Sequence, residues 1–182
     1  MMKRLLVVPA MLAFVFAVSA CAPRKGPAVA AAAAADGYKE VTQIGMKLKW
    51  KVEGSSLDIV VQGPTKGWVA VGFDPETLMK GSDILIGYVD AEGKTTVVDS
   101  YADQLTSHKA DTELGGSDDV TVIGGEETDQ GTSLHLSIPL DSGDKYDKVL
   151  AAGTTHKVML AYGGADDVES AHTHRAVFNV EL

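Results

Sequence analysis

The run Met46-Lys47-Leu48-Lys49-Trp50-Lys51-Val52-Glu53 alternates apolar and charged residues without a break. Successive side chains of a strand point to opposite faces, so a period of two describes a half-buried strand with one solvated side. Similar short segments recur along the chain: Leu57 to Gln62, Trp68 to Phe73, Ile84 to Val89, Thr95 to Tyr101, Val120 to Ile123, Ser133 to Ile138, His156 to Tyr162 and His172 to Leu182. Turn chemistry separates them, as in Gly54-Ser55-Ser56, Gly63-Pro64-Thr65-Lys66-Gly67 and Asp90-Ala91-Glu92-Gly93. Only Pro75 to Lys80 and Ser142 to Ala151 have room for a short helical turn. About nine or more short strands so spaced predict an all-β antiparallel sandwich of immunoglobulin-like architecture. The connection from Ala102 to Asp119 is long for a compact domain, and loops of that length tend to carry function.

The sandwich is expected over residues 38–182. Residues 1–20 have the form of a signal peptide: Lys3 and Arg4 precede an apolar stretch from Leu5 to Val18, too short for a comfortable membrane span. Val18-Ser19-Ala20-Cys21 resembles the bacterial lipobox, which implies lipidation of Cys21 and, with Ala22 following, an outer-membrane lipoprotein facing the periplasm. Acyl chains contribute about 0.8 kcal/mol per buried methylene, so such a terminus holds to a bilayer. Residues 21–37, rich in Ala and Pro, are expected to be a tether. Cys21 is the chain's one cysteine, so no intramolecular disulfide supports the fold. The formal net charge of −9 argues against nucleic acid and suits a basic partner protein.

Two side chains far apart in sequence stand out chemically. Met79 follows the Trp68–Phe73 strand, and His172 opens the last predicted strand. A thioether and an imidazole brought together in an apolar pocket can hold a haem iron from both sides. Counting back by twos from Phe178 places His174 and His172 on one inward face with Arg175 outward. Each residue alone has a plainer explanation: Met fills gaps in cores, and an imidazole on an apolar face is commonly a core histidine. No Cys-x-x-Cys-His motif is present, so haem could not be attached covalently.

The segments Trp68-Val69-Ala70-Val71-Gly72-Phe73, Met79-Lys80-Gly81-Ser82-Asp83, Gly87-Tyr88-Val89-Asp90 and Asp99-Ser100-Tyr101 resemble the DOMON superfamily. So do Leu160-Ala161-Tyr162-Gly163 and His172 with Arg175. DOMON domains are β-sandwiches that bind b-type haem or sugars; the haem-binding ones include the cytochrome domain of cellobiose dehydrogenase. The resemblance implies Met79 and His172 as axial ligands of a non-covalent haem b, with His174 as the alternative to His172. Pocket walls are expected from Trp68, Val71, Phe73, Leu78, Ile84, Ile86, Tyr101, Met159 and Tyr162. Arg175, Lys80 or Lys109 would meet propionates at the rim. The implied activity is single-electron transfer with a redox partner, a basic carrier or a membrane cytochrome, and no catalysis of its own.

Other readings compete. The sandwich could hold a carbohydrate or small ligand between its sheets, with Trp68, Tyr101 and Tyr162 as stacking faces. His108, His172 and His174 could bind zinc or copper, although no thiolate joins them. Asp83 and Asp99 could serve acid/base chemistry or calcium but fit structural roles, and Asp166-Asp167 reads as a solvated loop. No nucleophile elbow, phosphate loop or dinucleotide fingerprint is present.

Overall fold

The computed structural model describes residues 26–34 and 36–182. The signal peptide and Cys21 lie outside the described residues. The described chain forms strands β1 (Ala32–Ala33), β2 (Lys39–Gln43), β3 (Met46–Glu53), β4 (Ser56–Gly63), β5 (Val69–Phe73) and β6 (Asp83–Val89). There follow β7 (Thr95–Tyr101), β8 (Lys109–Ala110), the short helix α1 (Asp111–Leu114), β9 (Thr121–Thr128), β10 (Gly131–Pro139), β11 (Thr155–Tyr162) and β12 (His174–Glu181). They make two six-stranded sheets, β1-β2-β3-β4-β10-β9 and β12-β11-β5-β6-β7-β8. All pairings are antiparallel.

The alternation in β3 does what its pattern dictates. Met46, Leu48 and Trp50 are buried while the lysines between them are half-exposed. Leu57, Ile59 and Val61 of β4 and Leu134, Leu136 and Ile138 of β10 complete the inner face of the first sheet. The second sheet answers with Val69, Val71 and Phe73, Leu85 and Val89, Val158 and Leu160, and Val180. Among the described residues the space between the sheets is therefore filled with these side chains.

Strands β5 and β6 are buried on both faces. Val69, Val71 and Phe73 enter the main core, whereas Ala70, Ile84 and Ile86 join Trp68 and Ala102 in a second, smaller cluster. That cluster lies on the outer face of the second sheet, with Met79, Met159, Ala161 and Val168 packed against it.

Three local expectations are corrected. β12 begins at His174, so His172 belongs to the preceding loop and strand periodicity does not reach it. The helical turn falls at Asp111–Leu114, inside the long 102–119 connection, and ends on Gly115 in the left-handed region. The predicted tether is partly docked: Ala32 and Ala33 pair with β2, Val29 and Ala31 pack on the core, and the Val29 N–H donates to the Asn179 carbonyl at 2.6 Å.

At one end of the sandwich several aspartates converge. Burial first, then the charges of Asp99 and Asp147, holds the Asp83 carboxyl well above the usual carboxylate range. Burial likewise pushes Asp99 and Asp111 up to about 7.

Candidate functional site

The outer face of the second sheet floors a cavity of about 670 Å³. This lies within the roughly 300–1,000 Å³ typical of small-molecule and cofactor sites. Trp68, Ala70, Gly72, Ile84, Ile86 and Met159 make an apolar floor. They sit there because β5, β6 and β11 send alternate side chains outward; Gly72 pairs with both Met159 and Ile84 across the ladder. A Cβ on Gly72 would lie 2.9 Å from the Met159 methyl, so glycine leaves room for that thioether.

Three loops wall the floor. The first, between β5 and β6, contributes Leu78 and Met79. Its path is pinned at both ends. Asp74, with a left-handed φ of 47°, accepts the Lys157 N–H at 2.9 Å and pairs with His156 Nδ1 at 2.7 Å. At the far end the fully buried Ser82 donates through its hydroxyl and its N–H to the Met79 carbonyl. A tight turn between Thr77 and Lys80 then presents Met79, half-buried, to the cavity.

The second loop, after β7, contributes Leu105, Thr106, Ser107 and His108. His108 Nδ1 is buried without a hydrogen-bond partner. The third loop, between β11 and β12, contributes Val168, Ser170 and His172. Trp68 anchors it: its indole N–H donates to Ser170 Oγ at 2.9 Å, its backbone N–H to the Ala165 carbonyl at 3.1 Å, and its carbonyl accepts the Gly163 N–H at 3.1 Å. Gly67 and Gly163 permit this closeness, since a Cβ on either would fall 2.4 Å from Ala165 N or the Trp68 indole nitrogen. Thr173 fixes the loop's end through two bonds to the Tyr162 carbonyl.

Met79 and His172 thus line one cavity, together with Trp68, Leu78, Ile84, Ile86, Met159 and Arg175 from the sequence expectations. Several expected wall residues do not. Val71 and Phe73 have the opposite strand parity and lie in the main core. Tyr101 packs against Tyr146, ring centroids 5.2 Å apart. Tyr162 belongs to the core side, and His174 stacks on it at 4.8 Å with the rings 14° from parallel. His174 therefore sits on the core side while Arg175 and Val177 face the outer cavity, as strand parity expected; His172, in the loop before β12, leaves that shared inward face and lines the cavity instead. Lys80 and Lys109 are outside the lining, and Lys109 pairs with Asp103 at 3.5 Å. His108, which the sequence grouped with His172 only as an alternative zinc or copper ligand and not as a wall of the haem pocket, lines the same cavity; the length of its loop was the further signal.

These features define a class: a β-sandwich domain with a largely apolar cavity of about 670 Å³ on the outside of one sheet. Residues 44–163 match the DOMON domain family, and the chain belongs to that family. The chain is 26% identical over 137 residues to DBH-like monooxygenase protein 2 of Mus musculus, covering 74% of this chain and 21% of that protein. It is 26% identical over 122 residues to MOXD1 homolog 2 of Drosophila melanogaster, covering 66% of this chain and 15% of the other. The chain therefore spans about a fifth or less of the length of these relatives. Among solved structures it is similar to the cytochrome domain of Myriococcum thermophilum cellobiose dehydrogenase, with a TM-score of 0.57 at 9% identity. That match covers 81% of this chain and 85% of the other and is a likeness of fold.

Proposed function

We propose that the cavity binds haem b non-covalently, with Met79 and His172 as axial ligands, and that the domain transfers electrons without transforming a substrate. The observation that carries this reading is the meeting of a thioether and an imidazole, from two separate loops, in one cavity with an apolar floor. The donor set fits the group. Met and His are haem ligands, the floor suits a porphyrin face, and Arg175 brings a positive charge to the lining. Held by Met79 and His172, haem would supply one-electron ferrous/ferric chemistry, at a potential the thioether raises. The chain's own part is to exclude water through the floor residues and to hold both ligand loops, one by Ser82 and the other by Trp68.

In this reading Cys21 carries a lipid that anchors the domain to the bacterial envelope, at the outer membrane facing the periplasm. The acidic surface then favours a basic carrier or the basic face of a membrane cytochrome. A carbohydrate or other small ligand is the alternative occupant and would have to use this same outer cavity, whose apolar floor offers few partners to hydroxyls.

Titration of the purified chain with haem, followed by absorbance, tests the reading. A low-spin spectrum is expected, and Met79→Ala and His172→Ala should each abolish or alter it. An unchanged spectrum in both variants removes these residues from the role.

A further inference from the structure

The path of the first described residues limits which face of the domain can meet a membrane. β12 turns Phe178 and Val180 towards the main core, so Asn179 lies on the outer face with Arg175 and Val177, which line the cavity. The Asn179 amide donates to the Gly26 and Pro27 carbonyls at 3.1 and 3.4 Å. Its backbone carbonyl accepts the Val29 N–H, and Val29 and Ala31 pack on the core before β1 joins the first sheet. The segment therefore rounds the β12 edge of the second sheet, from the cavity side to the first sheet.

This docking shortens the leash. Cys21 is five residues from Gly26 and seventeen from Tyr38. An extended chain spans at most about 3.3–3.6 Å per residue, so a lipid on Cys21 keeps Gly26 within about 18 Å of the bilayer. Free as far as Tyr38, the leash would reach about 60 Å. A domain of this length is roughly 40 Å across, so the long leash would admit any face and the short one admits only the side on which Gly26 lies.

That side carries exposed apolar groups. Leu78 and Leu105 from two loops and Val177 from β12 are exposed and line the cavity. Apart from its two histidines, the charged residues of the lining are Glu169 and Arg175, of opposite sign. An exposed apolar patch with little net charge suits contact with lipid. Two other surfaces are less suited. Val122 and Ile123 are exposed on β9, at the opposite edge of its sheet from β1. Lys47, Lys49 and Lys51 project from the outer side of β3, but their charges are paired with Glu40, Asp36 and Glu53.

We infer that the cavity mouth is a membrane-docking face, with Leu78, Leu105 and Val177 resting on the lipid surface that holds Cys21. This orientation rests on the lipid-anchor reading above and not on haem. In the electron-transfer reading, the partner is then met in the plane of the membrane, which favours a membrane cytochrome over a soluble carrier.

The test couples the chain from Cys21 onward, which keeps every described residue, through its thiol to a maleimide phospholipid in phosphatidylethanolamine–phosphatidylglycerol vesicles. Backbone hydrogen exchange is compared with that of the same chain capped at the thiol and free in solution. The loops at 77–80 and 104–108 should exchange more slowly on vesicles; a mouth held to lipid about nine-tenths of the time gives about a tenfold slowing. The edge strand β9 and the β3–β4 turn at 54–55 should exchange as in the free chain. Leu78→Ser, Leu105→Ser and Val177→Ser combined should remove the slowing. No slowing, slowing at β9 or the β3–β4 turn instead, or slowing kept by the triple variant each overturns the docking face. Should the triple variant fail to fold, the parent's exchange pattern decides. Mass spectrometry of the chain expressed in a bacterial envelope reports separately on Cys21: an unmodified thiol defeats the anchor reading, while the vesicle pattern judges the face in either case.

Discussion

Trp68 is the residue on which the cavity depends most directly, because it belongs at once to the floor and to the loop above it. Its ring is 3% exposed against the outer sheet face, and its indole N–H reaches Ser170 in the loop that carries His172. Ser170 in turn donates to the Asp167 carbonyl at 2.7 Å, so one indole steadies a whole loop segment. Trp68→Phe keeps an aromatic floor and deletes the donor. A net hydrogen bond contributes about 0.5–1.5 kcal/mol, or about two- to twelvefold in an equilibrium constant. In the haem titration this variant should bind about two- to twelvefold more weakly while keeping the parent's low-spin spectrum, because neither ligand is altered. A changed spectrum with unchanged affinity would show that the indole acts on the iron's surroundings rather than on the loop.

Strand β6 shows at the level of an element why the fold was readable and the site only half so. Ile84-Leu85-Ile86 looks like one apolar run, and the structure buries it on two different faces: Leu85 in the main core, Ile84 and Ile86 under the cavity loops. The β3 alternation and the Gly54 turn declared the sandwich, because a period of two with one charged face has no other good burial. In β5 and β6 the contrast between faces is lost, so the residues gave no sign that the pocket lay outside the sandwich. Val71 and Phe73 were assigned to it for that reason. His172 was misplaced by extending strand parity past the true start of β12, where the chain is a loop held by Thr173. Met79 and His172 were legible through family resemblance; His108 was not, because three loops meeting is a tertiary event. The two faces of β6 should respond differently to truncation. Leu85→Ala empties a close-packed site and should cost about 2–5 kcal/mol. Ile86→Ala borders an existing cavity and should fall at or below the low end of that range, while changing haem affinity. Denaturant midpoints at constant m-value measure the difference, and the reverse order would place the principal core on the wrong side of the sheet.

Across the molecule, the N-terminal segment acts as a clasp on the sandwich edge. Gly26 and Val29 bond to Asn179 of β12, β1 adds to β2, and the Tyr38 hydroxyl donates to Asp58 of β4 at 2.7 Å. The groups facing Tyr38 are Asp58, Glu53 and Asp36, with the Lys49 and Lys51 ammoniums 5.7 and 5.8 Å from its ring centroid; His135 shares Asp58 at 2.8 Å. Burial first, then the bond to Asp58 and the surrounding carboxylates, pushes the Tyr38 hydroxyl up from 10.0 to about 12. The folded state therefore keeps a proton that the unfolded chain releases near pH 10. The stabilisation is fully present below that pH and is lost as the pH rises towards 12. Other tyrosines and the lysines also titrate in this window, so the informative quantity is the difference between the parent and Tyr38→Phe. Denaturant unfolding at intervals from pH 8 to pH 12 should show the parent more stable at the lower end and its advantage shrinking steadily above pH 10. An advantage that stays constant across the window would mean that the clasp rests on the ring and its lysine neighbours, with the hydroxyl bond contributing nothing.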